Sequence, residues 1–241
     1  MYKYIILLIT IVILLTLCVF SIMYYLTKKH KNFEKRQLGY DYYYGTIINI
    51  FFTLLIYTCI ILYKYNYSDV TIKFPNVFII LMYLLVVDLF YYWSHRTIHR
   101  VPFLKETLHL KHHNAVDLVS NDIFYVDIKE HILYIMFIGI IAQLFININI
   151  TDYIIVNIIL VYHAIYTHSE KEEDFILPLF INSKYHKYHH QIGGGNYSIL
   201  FPIWDDYMKT RIKTPKKINK QKIKKENQIN KKNKKKQENR L

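Results

Sequence analysis

The sequence predicts an all-α integral membrane helical bundle, capped on one side by histidine-rich helices. Three observations carry that expectation. Hydrophobic residues fill 53% of the 241 positions and fall in long blocks, several near the roughly 20 apolar residues that one helical crossing needs. Most of the 12 histidines crowd into boxes that follow the third block. The basic charge sits in a polar tail rather than across the chain. The length suits one domain of ordinary size.

Residues 4–26, YIILLITIVILLTLCVFSIMYYL, form the first span. The expected reading is a signal anchor rather than a cleaved signal peptide. The apolar stretch is too long, only Lys3 precedes it, and KKHKNFEKR follows in place of a small-residue cleavage site. Residues 45–63 and 74–93 form the second and third spans. A further apolar region, 131–166, breaks at ININITD, so it either crosses twice or dips in and returns. Cys18 and Cys59 both lie inside spans, which leaves no disulfide framework and no cysteine-based zinc site. This organisation gives a membrane-anchor region (1–73), a core segment (74–212) and a tail (213–241).

Positive charge marks the cytoplasmic flank of a span. Residues 27–36 hold five Lys/Arg against one before the first span, which puts the 27–44 loop in the cytoplasm and the 64–73 loop in the lumen. The chain then returns, and everything from Ser94 begins on the cytoplasmic side. From Lys209 to Leu241 there are 15 Lys/Arg and two Asp/Glu, which accounts for the whole formal net charge of +13. With almost no apolar residues, this tail is expected to be a solvated cytoplasmic segment. Attraction to anionic lipid headgroups is the next reading. Nucleic-acid binding is disfavoured because no recognition fold accompanies the charge. The sequons at Asn66, Asn149 and Asn196 are expected to be chance occurrences in an Asn-rich chain.

Three boxes follow the third span: HRTIH with His95 and His99, HLKHH with His109, His112 and His113, and HKYHH with His186, His189 and His190. Residues spaced i, i+3 and i+4 share a helical face. The first box continues the third span. Pro102 is placed to start the second helix. Asn182 or Ser183 can cap the third, and Gly193-Gly194-Gly195 ends it. Neutral imidazole is the commonest protein metal ligand, and histidines without cysteine suit iron, zinc, copper or nickel. Eight box histidines exceed what one cation takes, so the number points to two. A single box would be weak; the strength lies in the set. The cap is therefore expected to be a cytoplasmic di-metal centre.

In this order and after an apolar helix, the boxes resemble the sterol desaturase/fatty acid hydroxylase superfamily of membrane di-iron oxygenases. The resemblance spans about residues 75–212. DLFYYWSHRTIH is similar to the family's approach to its first box, and GGGNYSILFPIWDDYMKT to the stretch after its last. FINSKYHKYHH is most similar to sterol C5-desaturases. THSEKEEDF resembles a stretch with a further family histidine, which implies a ligand role for His168. His163 is left open between an added ligand and a supporting donor, and His131 is expected to be interfacial. One departure stands out: DIKE (127–130) replaces the family's His-Pro-x-Glu, with Asp127 at the histidine and Glu130 keeping the acidic position.

The resemblance implies two iron ions, O2 as co-substrate and oxidation of a lipid, with a sterol double bond preferred over fatty acid or sphingolipid hydroxylation. It also implies an external electron donor, cytochrome b5 with an NAD(P)H reductase, and residence in the endoplasmic reticulum. The chain itself carries no dinucleotide fingerprint, since GGGNY lacks the GxGxxG spacing. Asp117, Asp122, Glu106 and Asp205 are candidates to orient the second ring nitrogens. A non-enzymatic membrane metal-binding protein or transporter is the reading outside this chemistry. It is disfavoured because the first three spans show no ionisable residue at mid-span.

Overall fold

The structure is a computed structural model that describes residues 2–28, 39–64, 73–169 and 179–212. Residues 29–38 of the basic flank after the first span, Asn66, all of KEEDF after His168, Pro178 and the basic tail lie outside the described residues. Among the described residues the chain is wholly helical, with no strand. The long helices are α1 (Tyr2–Thr27), α2 (Tyr40–Lys64), α3 (Val77–Arg100), α5 (Ile128–Phe145) and α6 (Ile150–Thr167). A short helix, α4, runs through Pro102–Leu104, Lys105–His109 and Leu110–His113. A 3-10 turn (Ser120–Phe124) precedes α5, and α7 (Ser183–Ile192) and α8 (Ile203–Tyr207) close the described chain.

Among the described residues, three helical stretches are long and apolar enough to cross a membrane: Tyr40–Cys59 in α2, all of α3, and all of α6. In α1 the apolar part with described side chains is Ile9–Tyr25. The third span begins later than the apolar block suggests because Asn76 caps α3, its side chain accepting from the Ile79 N–H at 3.2 Å. It ends later because the first box simply extends the helix to Arg100. At 1.5 Å per residue α3 is about 36 Å long, longer than a hydrocarbon core of about 30 Å. The 131–166 region resolves into two helices, with Asn149 capping α6 at the break.

Hydroxyls within the apolar helices fold back on their own backbone. Thr16, Thr46, Thr53 and Thr58 each donate to the carbonyl four residues earlier at 2.7 Å, as polar groups must where water is absent. Large apolar side chains on the outer faces stay exposed, among them Leu14, Phe78, Leu144 and Ile158. The main core joins Tyr83, Leu84 and Val87 of α3 with Ala142 of α5, Tyr153 and Val156 of α6, and Leu200 and Phe201. A second cluster packs Met23 of α1, Ile50 of α2 and Phe124 of the 3-10 turn.

Asp88 corrects the expectation of spans free of ionisable residues. With α3 running from 77 to 100, this aspartate falls at the helix midpoint, fully buried. Its carboxylate accepts from the Ile199, Leu200 and Phe201 N–H groups at 3.0, 2.8 and 3.1 Å. The residue is an anchor for the loop after α7, not a step on an ion path.

Candidate metal centre

The end of α3, α4, the end of α6 and α7 meet at one end of the bundle. Each is shaped by local sequence. Pro102 sits at the first turn of α4, where a missing N–H costs nothing. Asn182, rather than Ser183, caps α7, its side chain accepting from the Tyr185 N–H at 2.9 Å. Gly193 ends α7 at φ 67°, its N–H donating to the His189 carbonyl at 2.7 Å, a conformation glycine adopts without penalty. One feature departs from the expected regular helix: Lys105–His109 forms a π turn, a form common at functional sites.

These elements gather nine histidines into two groups. His95, His99, His109, His113 and His189 form one; His112, His168, His186 and His190 form the other, with candidate ligand atoms in each group all within 4.8 Å of one another. Both HxxHH boxes are divided in a complementary way. From α4, His109 and His113 enter the first group and His112 the second. From α7, His186 and His190 enter the second and His189 the first. His168, at the end of α6, completes the second group.

The nitrogens face inward. In the first group Nε2 of His95 lies 3.0 Å from that of His109, and Nε2 of His113 lies 3.1 and 3.0 Å from those of His99 and His189. In the second, Nε2 of His168 lies 3.4 Å from His112 and 3.1 Å from His186, which is 3.1 Å from His190. A cation bonded to imidazole nitrogens at 2.0–2.1 Å sets neighbouring nitrogens about 3.0 Å apart at a right angle and about 3.4 Å apart at the tetrahedral angle. The observed spacings fall on these values.

Protonation makes the same point independently. A backbone carbonyl can only accept. His95, His189 and His168 must therefore donate through Nδ1 to the carbonyls of Tyr197, Gly195 and Ala164, each at 2.8 Å. In the neutral ring this leaves the lone pair on Nε2, pointing into the cluster. Burial holds the rings neutral. His109, His112, His186, His189 and His190 are pushed well below the usual 6.5 by desolvation and then by neighbouring imidazoles. His113 is pushed down to about 3 and His168 is lowered, again chiefly by burial. Lone pairs crowded at 3 Å repel one another unless positive charge lies between them. The residues fit two bound cations.

The supporting shell differs from the acidic set expected from sequence. Glu130 Oε1 meets His109 Nδ1, so the acidic residue of DIKE holds a box histidine directly. Asp127 instead caps α5, accepting from the Lys129 N–H at 2.9 Å. Asp205 acts one step back. It accepts from the Tyr197 and Ser198 N–H groups at 3.0 and 2.8 Å and from the Tyr185 hydroxyl at 2.7 Å, fixing the loop whose carbonyls orient His95 and His189. Asp122 accepts from the Tyr42 hydroxyl at 3.0 Å and lies near enough to act electrostatically on His168. Glu106 is exposed.

His131 and His163 fall outside both groups, and His30 lies outside the described residues. His163 Nε2 bonds the Ile181 carbonyl at 3.0 Å, next to the α7 cap. His131 has fixed partners: its Nε2 donates to the Asn49 carbonyl at 2.9 Å and lies 2.6 Å from Thr53 Oγ1, tying α5 to α2. Of the sequons, Asn149 is occupied as a cap, and Asn196 is buried with its amide donating to the Tyr185 carbonyl at 2.9 Å.

A cavity of 180 Å³ reaches the second histidine group, with His112, His168 and Glu130 in its wall. It shares Thr53, Tyr57 and Val161 with a larger, apolar groove of 460 Å³ between α2 and α6. No curated protein and no solved structure matches the chain. The family model described as fatty acid hydroxylase matches residues 80–210, a stretch that contains all nine clustered histidines and more than half the sequence. The chain belongs to the fatty acid hydroxylase family.

Proposed function

We propose that the protein is a membrane-bound, O2-dependent di-iron enzyme that introduces a double bond into a sterol. The observation that carries the reading is the pair of inward-facing imidazole groups beside a cavity that opens between apolar helices. Bound iron would supply O2 activation and removal of hydrogen from an unactivated C–H bond. His95, His99, His109, His113 and His189 would hold one ion and His112, His168, His186 and His190 the other.

The chain's own contribution is positioning and exclusion of water. Glu130 and the Tyr197, Gly195 and Ala164 carbonyls fix the orientation of the rings that would hold the ions, on rigid elements. The apolar groove between α2 and α6 gives a lipid lateral access from the bilayer. The sterol preference rests on the resemblance of FINSKYHKYHH to sterol C5-desaturases. Hydroxylation of a fatty acyl or sphingoid lipid is the second reading, favoured by the description of the matching family.

Residues 74–212 would form the catalytic segment, 1–73 the anchor and 213–241 a cytoplasmic tail. The boxes would face the cytoplasm at the endoplasmic reticulum, where cytochrome b5 and its reductase supply electrons. Expression in a yeast strain lacking sterol C5-desaturase tests the reading. Restored 5,6-unsaturation supports it; a hydroxylated lipid in its place moves the assignment to the second reading. Absence of tightly held transition metal after purification in detergent sinks both.

A further inference from the structure

Glu130 presents an oxygen that the metal centre does not use. The residue is 2% exposed, and while Oε1 meets His109, Oε2 is buried without a partner. Tyr134 lies one turn along α5, on the same face. Its hydroxyl is also buried and without a partner. Its ring is held by stacking on Tyr91 at 4.9 Å, which packs in turn against His95 at 5.1 Å. Both side chains line the 180 Å³ cavity beside His112 and His168. Buried polar atoms of this kind are nearly always paired, so the cavity holds an unmet demand for one acceptor and one donor next to the chemistry. Water can fill that demand only until a lipid displaces it, and a lipid that cannot replace those hydrogen bonds loses affinity.

We propose that Glu130 and Tyr134 form an anchoring subsite for a hydroxyl group of the lipid substrate, so that the oxidised carbon lies close to that hydroxyl rather than far along the tail. A hydroxyl is the simplest group that donates to a carboxyl oxygen while accepting from a phenol. Direction follows from the shape of the space. The outer groove runs along α6 from Tyr153 to Ile165 and is walled by residues such as Leu54 and Ile158. It suits the apolar body of the lipid, with the polar end inward. Scale follows too: a 150 Å³ cavity holds benzene, so the inner chamber takes roughly six or seven heavy atoms. The hydroxyl and the reacting carbon share that small volume.

The inference rests on the lipid-oxidising reading, but its test needs no turnover. The full-length protein, loaded with zinc in detergent, is titrated with two matched pairs: cholestanol and its methyl ether, and octadecanol and its methyl ether. Native mass spectrometry gives Kd for each and reports zinc retained. The alcohol of a bound pair is expected to bind about tenfold more tightly than its ether. Tyr134→Phe, which touches no histidine, reduces that preference to about threefold or less with zinc content unchanged. Glu130→Gln, which keeps an acceptor for His109, reduces it as well. Equal affinities within both pairs, no binding of either alcohol, or a preference untouched by Tyr134→Phe overturns the subsite. A preference confined to octadecanol leaves the subsite standing and removes the sterol reading. Absence of an oxidised lipid from the iron-loaded enzyme counts against the catalytic reading alone.

Discussion

His95, His168 and His189 each donate through Nδ1 to a backbone carbonyl, so their inward lone pairs are set by the fold and not by the cation. Replacing an inward ring removes a ligand that no neighbour can supply. His112→Ala or His189→Ala is expected to abolish lipid oxidation and to lower bound metal by at least one ion per chain, read by elemental analysis. Membrane insertion stays intact. His163→Gln, which keeps a donor for the Ile181 carbonyl, is expected to retain both ions; loss of metal there would mean that the two groups are wrongly drawn. The gathering of the eight box histidines was legible in the sequence because i, i+3, i+4 spacing survives any reasonable helix placement; His168, the ninth of the two groups, came only through family likeness. Glu130 as the partner of His109 was not legible, because 21 residues and a turn separate them. Nor were the three carbonyl partners, since every residue has one.

At the scale of elements, two aspartates hold the chain around the centre. Asp205 gathers the Tyr197 and Ser198 N–H groups, and Asp88 gathers those of Ile199, Leu200 and Phe201. Asp205→Ala is expected to weaken metal binding by about 10–100-fold, as loss of supporting partners does, measured by competition with a chelator. Asn182→Ala removes the α7 cap and is expected to cost about 1 kcal/mol of stability, seen as a lowered Tm. Caps and breaks at Pro102, Asn182 and Gly193 could be read from sequence because their side chains or their freedom act locally; the Asn76 cap was missed, because the apolar block runs through it. The π turn at Lys105–His109 could not: KETLH contains no proline or glycine to mark it. The role of Asp88 was hidden for a related reason. Its partners lie more than 100 residues away, and the apolar block alone placed the span's middle elsewhere.

For the whole molecule, helices that bring polar rings together at one end must hold them there against mutual repulsion. Cations bound only in the folded state add stability by mass action. Stripping metal with a chelator is therefore expected to lower Tm, and returning iron to restore it; an unchanged Tm would count against a centre that the fold depends on. Removing residues 213–241 is expected to leave metal content unchanged, since no cluster histidine lies there. The sharing of α4 and α7 between the two groups has a further result. A cation in either group links α4 to α7 and so restrains the helices that also carry the other group. Occupancy is then cooperative: at limiting iron the population should divide between chains with none and chains with two, and singly loaded chains should be scarce.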